Sequence, residues 1–387
     1  SMSVSMTPTV GGDEDKRLSF QEQLELVKLP REGQAHRYIS TRSAYLPGSD
    51  FAKGKELPSF HTAAFGGHVY AQAGLAAYRA WRETEEEKGV PEHARLDIHT
   101  INGYFTRIGL ASRPFIYTAS PVTASRTFST VSVTATQPSV PSNSPSEDHY
   151  PAEDASLPQY PPAFTALLSF KLPEPDWDGT VSEQEAPPQE RFASILSSRK
   201  PEEWPPAPPV DITGVVEIVG DDQVGTFPIA EMKKVDMKEY NEGKPVHERR
   251  ELLLYRLLKP LPDDKDAKSG YDANAHVLVH AFVADRNGLL MAGNHIGLGY
   301  SLGRAASLSY HFVMHVEAKA AVMREEDGWW IQEVWFPRAG RGRGIVESKI
   351  WSPSGVHVAT EYQDGLIQGF GGKLLKEKEV SGQEAKL

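Results

Sequence analysis

Two stretches decide the fold: Phe65–Trp81, reading FGGHVYAQAGLAAYRAW, and Asn274–Ala284, reading NAHVLVHAFVA. In the first, Val69, Ala73, Leu75, Ala76, Ala77 and Ala80 spread small or apolar side chains nearly all round a helix, and the second is apolar on most faces. A helix apolar on every side is buried rather than half exposed. After the first come strand-like runs at Ile98–Arg107, Pro114–Ala124, Thr127–Gln137 and Phe164–Lys171. After the second come Leu308–Val316, Trp329–Pro337, Gly344–Ser352 and Val356–Gly369, rich in β-branched and aromatic residues. A parallel sheet needs a crossover between neighbouring strands, usually a helix, and no helical pattern separates most of these. One buried helix followed by antiparallel strands, done twice, predicts an α+β chain of two tandem units, each sheet wrapped around its helix.

Outward from these anchors, proline and charge mark the boundaries. Residues 1–17 are polar and aperiodic and are expected to be a disordered tail. The N-terminal unit then spans 18–172. It opens with a short amphipathic helix from Phe20 (apolar at Leu24, Val27 and Leu29) and a strand at Arg37–Leu46. Within it, 138–162 holds seven prolines, many serines and the acidic pair Glu147-Asp148, a composition expected to loop out of the domain. A linker rich in Pro, Glu and Asp is expected over 173–209, the C-terminal unit over 210–371 and a flexible charged tail over 372–387.

The 41 Lys and Arg against 52 Asp and Glu give a net charge of −11, which argues against a nucleic-acid partner. The absence of cysteine excludes disulfides, thiolate metal sites and a cysteine nucleophile. No apolar run reaches the ~18–20 residues of a membrane span, so a soluble intracellular protein is expected. His61, His68, His99, His280, His311 and His315 show no HExxH spacing, so neither a metal nor a cofactor is expected.

Four features could carry chemistry. Asp285 ends the second apolar helix, where the backbone dipole is negative; burial there would raise its pKa and suit it to proton handling. Equally, Asp285-Arg286-Asn287-Gly288 has the composition of a plain turn. Gly299-Tyr300-Ser301-Leu302-Gly303 matches G-x-S-x-G, with Asp327 and His357 downstream in hydrolase order. That elbow belongs between a buried strand and a helix of a parallel sheet, and neither flank reads so. The run Arg338–Gly344, with Arg341 and Arg343, is a hairpin-like connection that is either a phosphate-binding loop or a solvated, flexible turn. Gly66-Gly67 either presents helix amides to a carbonyl oxygen or anion or permits close helix packing.

Together the pieces resemble the type II acyl-CoA thioesterases, which have a double-hotdog fold. The resemblance runs from about Phe20 to Phe370 and rests on FGGHVYAQA (Phe65–Ala73), IHTINGYFTRIG (Ile98–Gly109), HAFVAD (His280–Asp285), ASLSYHFVMH (Ala306–His315) and VATEYQDGLIQ (Val358–Gln368). It implies a water-holding site of an aspartate, a threonine or serine and a glutamine, matched by Asp285, Ser307 and Gln363. Departures are Asn102 for the second histidine of the family's first-half strand, Ser125 for a glycine, Val131-Ser132 for basic residues, and serine for threonine at 307.

The implied activity is hydrolysis of acyl-CoA to free acid and CoA without a covalent intermediate. Asp285 would be general base, Ser307 and Gln363 would orient the water, and amides near Gly67 and His68 would receive the oxyanion. Arg341 and Arg343 would meet the CoA phosphates. Ala385-Lys386-Leu387 is a near variant of the peroxisomal Ser-Lys-Leu address, so a peroxisomal location and an import-receptor partner are expected. A homo-oligomer is also possible, because sheet edges favour assembly. Two other readings stay open: product release from a biosynthetic carrier protein, and a non-catalytic acyl-CoA-binding protein.

Overall fold

A computed structural model describes residues 17–46, 63–143, 149–174, 183–207, 227–261, 272–286, 288–298 and 302–369. The elements that position the site are helix α1 (Gly66–Glu87), α2 (Ala273–Ala284) and α3 (Gly288–His295). The strands of the first half are β1 (Leu26–Glu32), β2 (Ala35–Ser40), β3 (Asp97–Phe105), β4 (Ile116–Ala124), β5 (Phe128–Thr136) and β6 (Phe164–Lys171). Those of the second are β7 (Ala230–Lys234), β8 (Glu251–Leu257), β9 (Leu302–Met314), β10 (Trp330–Gly340), β11 (Arg343–Trp351) and β12 (His357–Gly369).

All twelve strands join one antiparallel sheet in the order β1-β2-β4-β5-β6-β3-β9-β12-β11-β10-β8-β7. Read from either edge, the two halves repeat the same order, so β3 and β9 meet at the centre as equivalent strands. Their register sets Asn102 opposite His311 and Gly103 opposite Tyr310. This is the expected α+β pair of tandem units, with α1 and α2 buried side by side. Gly67 lies against Phe282, Gly74 against Leu278, and the Tyr78 hydroxyl donates to Asp272, so the helices run antiparallel. Glycine is required at 67, where an added Cβ would meet the Phe282 backbone carbonyl oxygen at 2.6 Å; at 74 it would meet Leu278 Cδ2 at 2.6 Å, so that side chain would have to shift.

Several boundaries differ from the sequence reading. The Phe20 helix is a single turn, Phe20–Gln23, closed by a capping box between Ser19 and Glu22, and Val27 and Leu29 belong to β1. The strand expected at Arg37–Leu46 is Ala35–Ser40, stopping where Ser40 turns its backbone to Phe115. The described parts of the 138–162 insertion do not loop away. Pro138 pairs with Gln159, the Tyr150 amide donates to the Thr41 carbonyl at 2.7 Å, and Ala155 packs on Leu29, Ile39 and Ile116.

The 173–209 connection is likewise bound to the body. Phe192 and Trp204 join Val235, Met237, Leu252, Leu254, Ile331 and Trp351 in a separate apolar cluster. Burying two such aromatics contributes about 1.5–3 kcal/mol each, enough to hold a polar stretch down. Arg191 adds a 2.7 Å ion pair to the buried Glu333. The expected tails lie outside the described residues, apart from Arg17 in the first and Gly369 before the last. No described helix is long and apolar enough to cross a membrane.

Candidate active site

The antiparallel helix pair brings the C-cap of α2 to the first turn of α1. Asp285 caps α2, where its own helix disfavours a negative charge, but the positive end of α1 faces it. The Gly67 amide donates to Asp285 Oδ2 at 2.7 Å. The neighbouring Gly66 makes room for this approach. A Cβ there would stand 2.9 Å from Asp285 Oδ2 and 3.1 Å from Ser307 Oγ.

Ser307 and Gln363 arrive from the paired strands β9 and β12. Tyr310 opposes Gln363 and Ser309 opposes Asp364, but Ser307 opposes Gly365, so Leu308 is an extra residue in β9. Such a bulge reverses which face later side chains take. Tyr310, Phe312 and Met314 point into the core from even positions, and past the bulge the odd-numbered Ser307 turns inward. Gln363 Nε2 donates to Asp285 Oδ1 at 2.9 Å and to Ser307 Oγ at 2.5 Å. The Ser307 hydroxyl stands 3.5 Å from the same carboxylate oxygen. Gln363 Oε1 has no partner among the described residues.

Asp285 is 8% exposed. Burial raises its pKa above the ordinary carboxylate value, and the Tyr310 hydroxyl, followed by the donors of Gly67, Gln363 and Ser307, pulls it part of the way back. The result is a carboxylate that is more basic than a surface aspartate and is rigidly oriented. Asp285 and Ser307 lie on the wall of a cavity of about 330 Å³, whose apolar lining includes Phe65, Val69, Ile108, Leu289 and Leu366. Arg107 lies on the same wall, its guanidinium stacked 4.4 Å over the Tyr160 ring of the insertion. Gln137 fixes this rim, accepting from the Leu110 amide and donating to the Leu110 and Arg113 carbonyls.

Asp285, Ser307 and Gln363 therefore come together, from residues 78 positions apart at the extremes. The other expected residues fare differently. The Gly67 amide is in the site but is taken up by Asp285. His68 points away: its amide donates to the Phe65 carbonyl, and its buried ring bonds Gln72, with burial lowering its pKa to about 4. Arg341 and Arg343 do not line the cavity. Arg341 and Gly342, at φ 54° and 75°, form a two-residue hairpin loop, and Arg343 is paired with Asp364. Arg107 and Arg286 are the cavity-wall cations that the sequence reading missed.

The G-x-S-x-G reading has no support in this architecture. The sheet is antiparallel throughout, and Ser301 lies outside the described residues. Asp327 sits in a short helical turn after Arg324, whereas His357 stacks on Trp351. Among the described residues no group of three His, Asp or Glu side chains is placed to hold a metal ion. Asn102, where the resemblance departs, bonds His311 at 2.9 Å on the exposed face of the sheet, away from the cavity.

Known proteins share this architecture. The acyl-CoA thioesterase II TesB2 of Mycobacterium marinum superposes with a TM-score of 0.56 at 20% identity, over 91% of this chain and 98% of that one. A tesB protein of Mycobacterium avium subs paratuberculosis gives 0.52 at 18% identity, over 90% and 98%. A conserved protein of unknown function with a hot dog fold from Alicyclobacillus acidocaldarius gives 0.50 at 12%, over 90% and 98%. At these identities the likeness establishes the hotdog fold alone. No curated protein sequence matches the chain. Family models do: the acyl-CoA thioesterase N-terminal domain matches residues 55–146, and the acyl-CoA thioesterase C-terminal domain matches residues 266–367. With one model on each half, together covering about half of its length, the chain belongs to the acyl-CoA thioesterase family and is a thioester hydrolase.

Proposed function

We propose that the protein hydrolyses fatty or related acyl-CoA to free acid and CoA with a water activated by Asp285, through no covalent intermediate. The observation that carries this reading is the mutual hydrogen bonding of Asp285, Ser307 and Gln363, with Asp285 and Ser307 on the wall of an apolar cavity. Water bound between them would give its proton to Asp285 as its oxygen attacks the thioester carbonyl carbon. The tetrahedral intermediate then expels CoA as the thiolate, which takes the proton back from Asp285. Ser307 and Gln363 supply orientation, and a positioned base of this kind is worth ~10²–10⁴-fold.

The oxyanion falls to the first turn of α1. Because Gly67 serves Asp285, the donor is the Gly66 amide, which lines the cavity and has no acceptor among the described residues. The acyl chain would occupy the apolar part of the cavity beside Val69 and Leu289. The CoA arm would leave past Arg107, whose forked guanidinium suits phosphate or amide oxygens. Free-CoA release across short, long, branched and aromatic acyl-CoAs tests the reading; turnover of at least one class supports it. Tight binding with no turnover on any of them would leave a binding protein, and turnover only on carrier-bound acyl groups would move the substrate to a carrier protein.

A peroxisomal location is part of the same proposal and rests on Ala385-Lys386-Leu387, which lie outside the described residues. A fluorescent fusion should enter peroxisomes, and removing the last three residues should leave it outside.

A further inference from the structure

Glu361 is a fully buried carboxyl that the hydrolysis above does not use. It sits on β12 two residues before Gln363, on the same inward face, so the two Cα atoms are about 6–7 Å apart. Its strand neighbours are Phe312 on β9 and Ser348 on β11. Among the described residues neither carboxyl oxygen has a hydrogen-bond partner of ordinary geometry, and the Ser348 hydroxyl is the one donor that acts on it. Asp285 stands in contrast, with donors from Gly67, Gln363 and Ser307 and the Tyr310 hydroxyl also acting on it.

The groups acting on Glu361 are few. Asp285, held by the neighbouring Gln363, and Glu347 of β11 act on it as negative charges, and the Ser348 hydroxyl opposite it on β11 acts as a donor. Tyr70 of α1 and Tyr310 of β9, stacked at 3.6 Å, feel the charge of both Asp285 and Glu361. From β10, the neutral Gln332 spends its amide on Ser348 and on the Ala284 carbonyl. Among the described residues no lysine, arginine or histidine is among the charges that act on it.

Two carboxyls in one dry site do not both ionise, and the negative charge settles where the donors are. We propose that Asp285 and Glu361 form a buried carboxyl pair that holds one proton, that Glu361 carries it, and that Glu361 is thereby a positioning residue keeping the active-site charge on Asp285. Burial and the neighbouring Asp285 charge both push Glu361 well above the usual carboxylate range, in keeping with this assignment.

The inference rests on Asp285 being the base, and Glu361→Gln tests it separately from that reading. Gln keeps the size of the side chain and removes the titration. Near pH 7 the infrared spectrum of the wild-type enzyme should show a protonated-carboxyl band that E361Q lacks, a readout that needs no turnover. The pH profile of kcat/KM should keep its acid limb in E361Q and lose an alkaline limb, which in the wild type marks the second ionisation of the pair. An acid limb moved to lower pH in E361Q would mean that Glu361 is ionised at rest, and would overturn the proposal. Identical profiles and spectra would reduce Glu361 to a packing residue, which also overturns it. Failure of the Asp285 reading would show elsewhere, as wild-type turnover in Asp285→Asn.

Discussion

The Gly67 amide nitrogen stands 2.7 Å from Asp285 Oδ2, so the first turn of one central helix closes on the C-cap of the other. Around the Asp285 carboxylate the first half of the chain contributes a backbone amide and the second contributes the side chains of Ser307 and Gln363. This division explains why both halves are needed for one site. It also explains why the glycine pair at 66–67 cannot be exchanged for alanines: one glycine clears the carboxylate and the other clears the partner helix.

The two glycines should therefore fail differently. Gly67→Ala drives a Cβ onto the Phe282 carbonyl oxygen and should lower the melting temperature, with a cost of about 1–3 kcal/mol for a core overpacked against backbone. Gly66→Ala meets Asp285 and Ser307 side chains instead, so it should cut kcat by ~10-fold or more with a smaller loss of stability. Thermal melts and CoA-release rates on both variants check this.

Activity should fall on acidification at a pH above the ordinary aspartate range. Asp285 must be ionised to act, burial raises its pKa, and protonation therefore removes the base earlier than for a surface aspartate. The acid limb of kcat/KM measures this directly. A limb at or below the ordinary aspartate pKa of about 3.9 would contradict it.

Arg107→Ala should raise KM for acyl-CoA several-fold and barely change it for the same acyl group on N-acetylcysteamine, which lacks the CoA phosphates and distal arm. Tyr160→Ala should do the same more weakly, because the ring only supports the guanidinium. Arg343→Ala, which breaks an exposed pair with Asp364, should leave both values near wild type.

Glu361→Gln should also change stability with a definite sign. A carboxyl whose pKa is raised in the folded state stabilises the fold below its unfolded value, and that contribution is lost as pH rises towards the folded one. The melting temperature of E361Q should therefore gain on the wild type between about pH 5 and pH 8, by ~2 °C or more. A constant difference across that range would contradict this.

Much of this architecture could be read from the residues. FGGHVYAQA and NAHVLVHAFVA announce buried helices through composition alone, and the strands that follow carry β-branched alternation. What was hidden depends on tertiary context. Glu251–Leu257 (ELLLYRL) is buried on both faces over most of its length, so it shows no alternation to mark it as β8. The polar stretches 138–162 and 173–209 are anchored by single residues such as Ala155, Phe192 and Trp204, which composition averages away.

The site was legible through the resemblance but not through spacing. Ser307 faces the cavity only because Leu308 is bulged, and strand periodicity alone would have turned it outward. His68 and the arginine hairpin were attractive by residue type, yet the partners that occupy them are visible only in three dimensions. The glycine pair was the one sequence signal that pointed at the α1 end of the site.

The central claim is that the Asp285 carboxylate activates the attacking water, and the most direct measurement is the rate of free-CoA release at saturating acyl-CoA by wild type and Asp285→Asn, with melting curves on both. The account predicts a loss of ~10²-fold or more in kcat at an essentially unchanged melting temperature. Wild-type turnover by the folded Asn variant would contradict it.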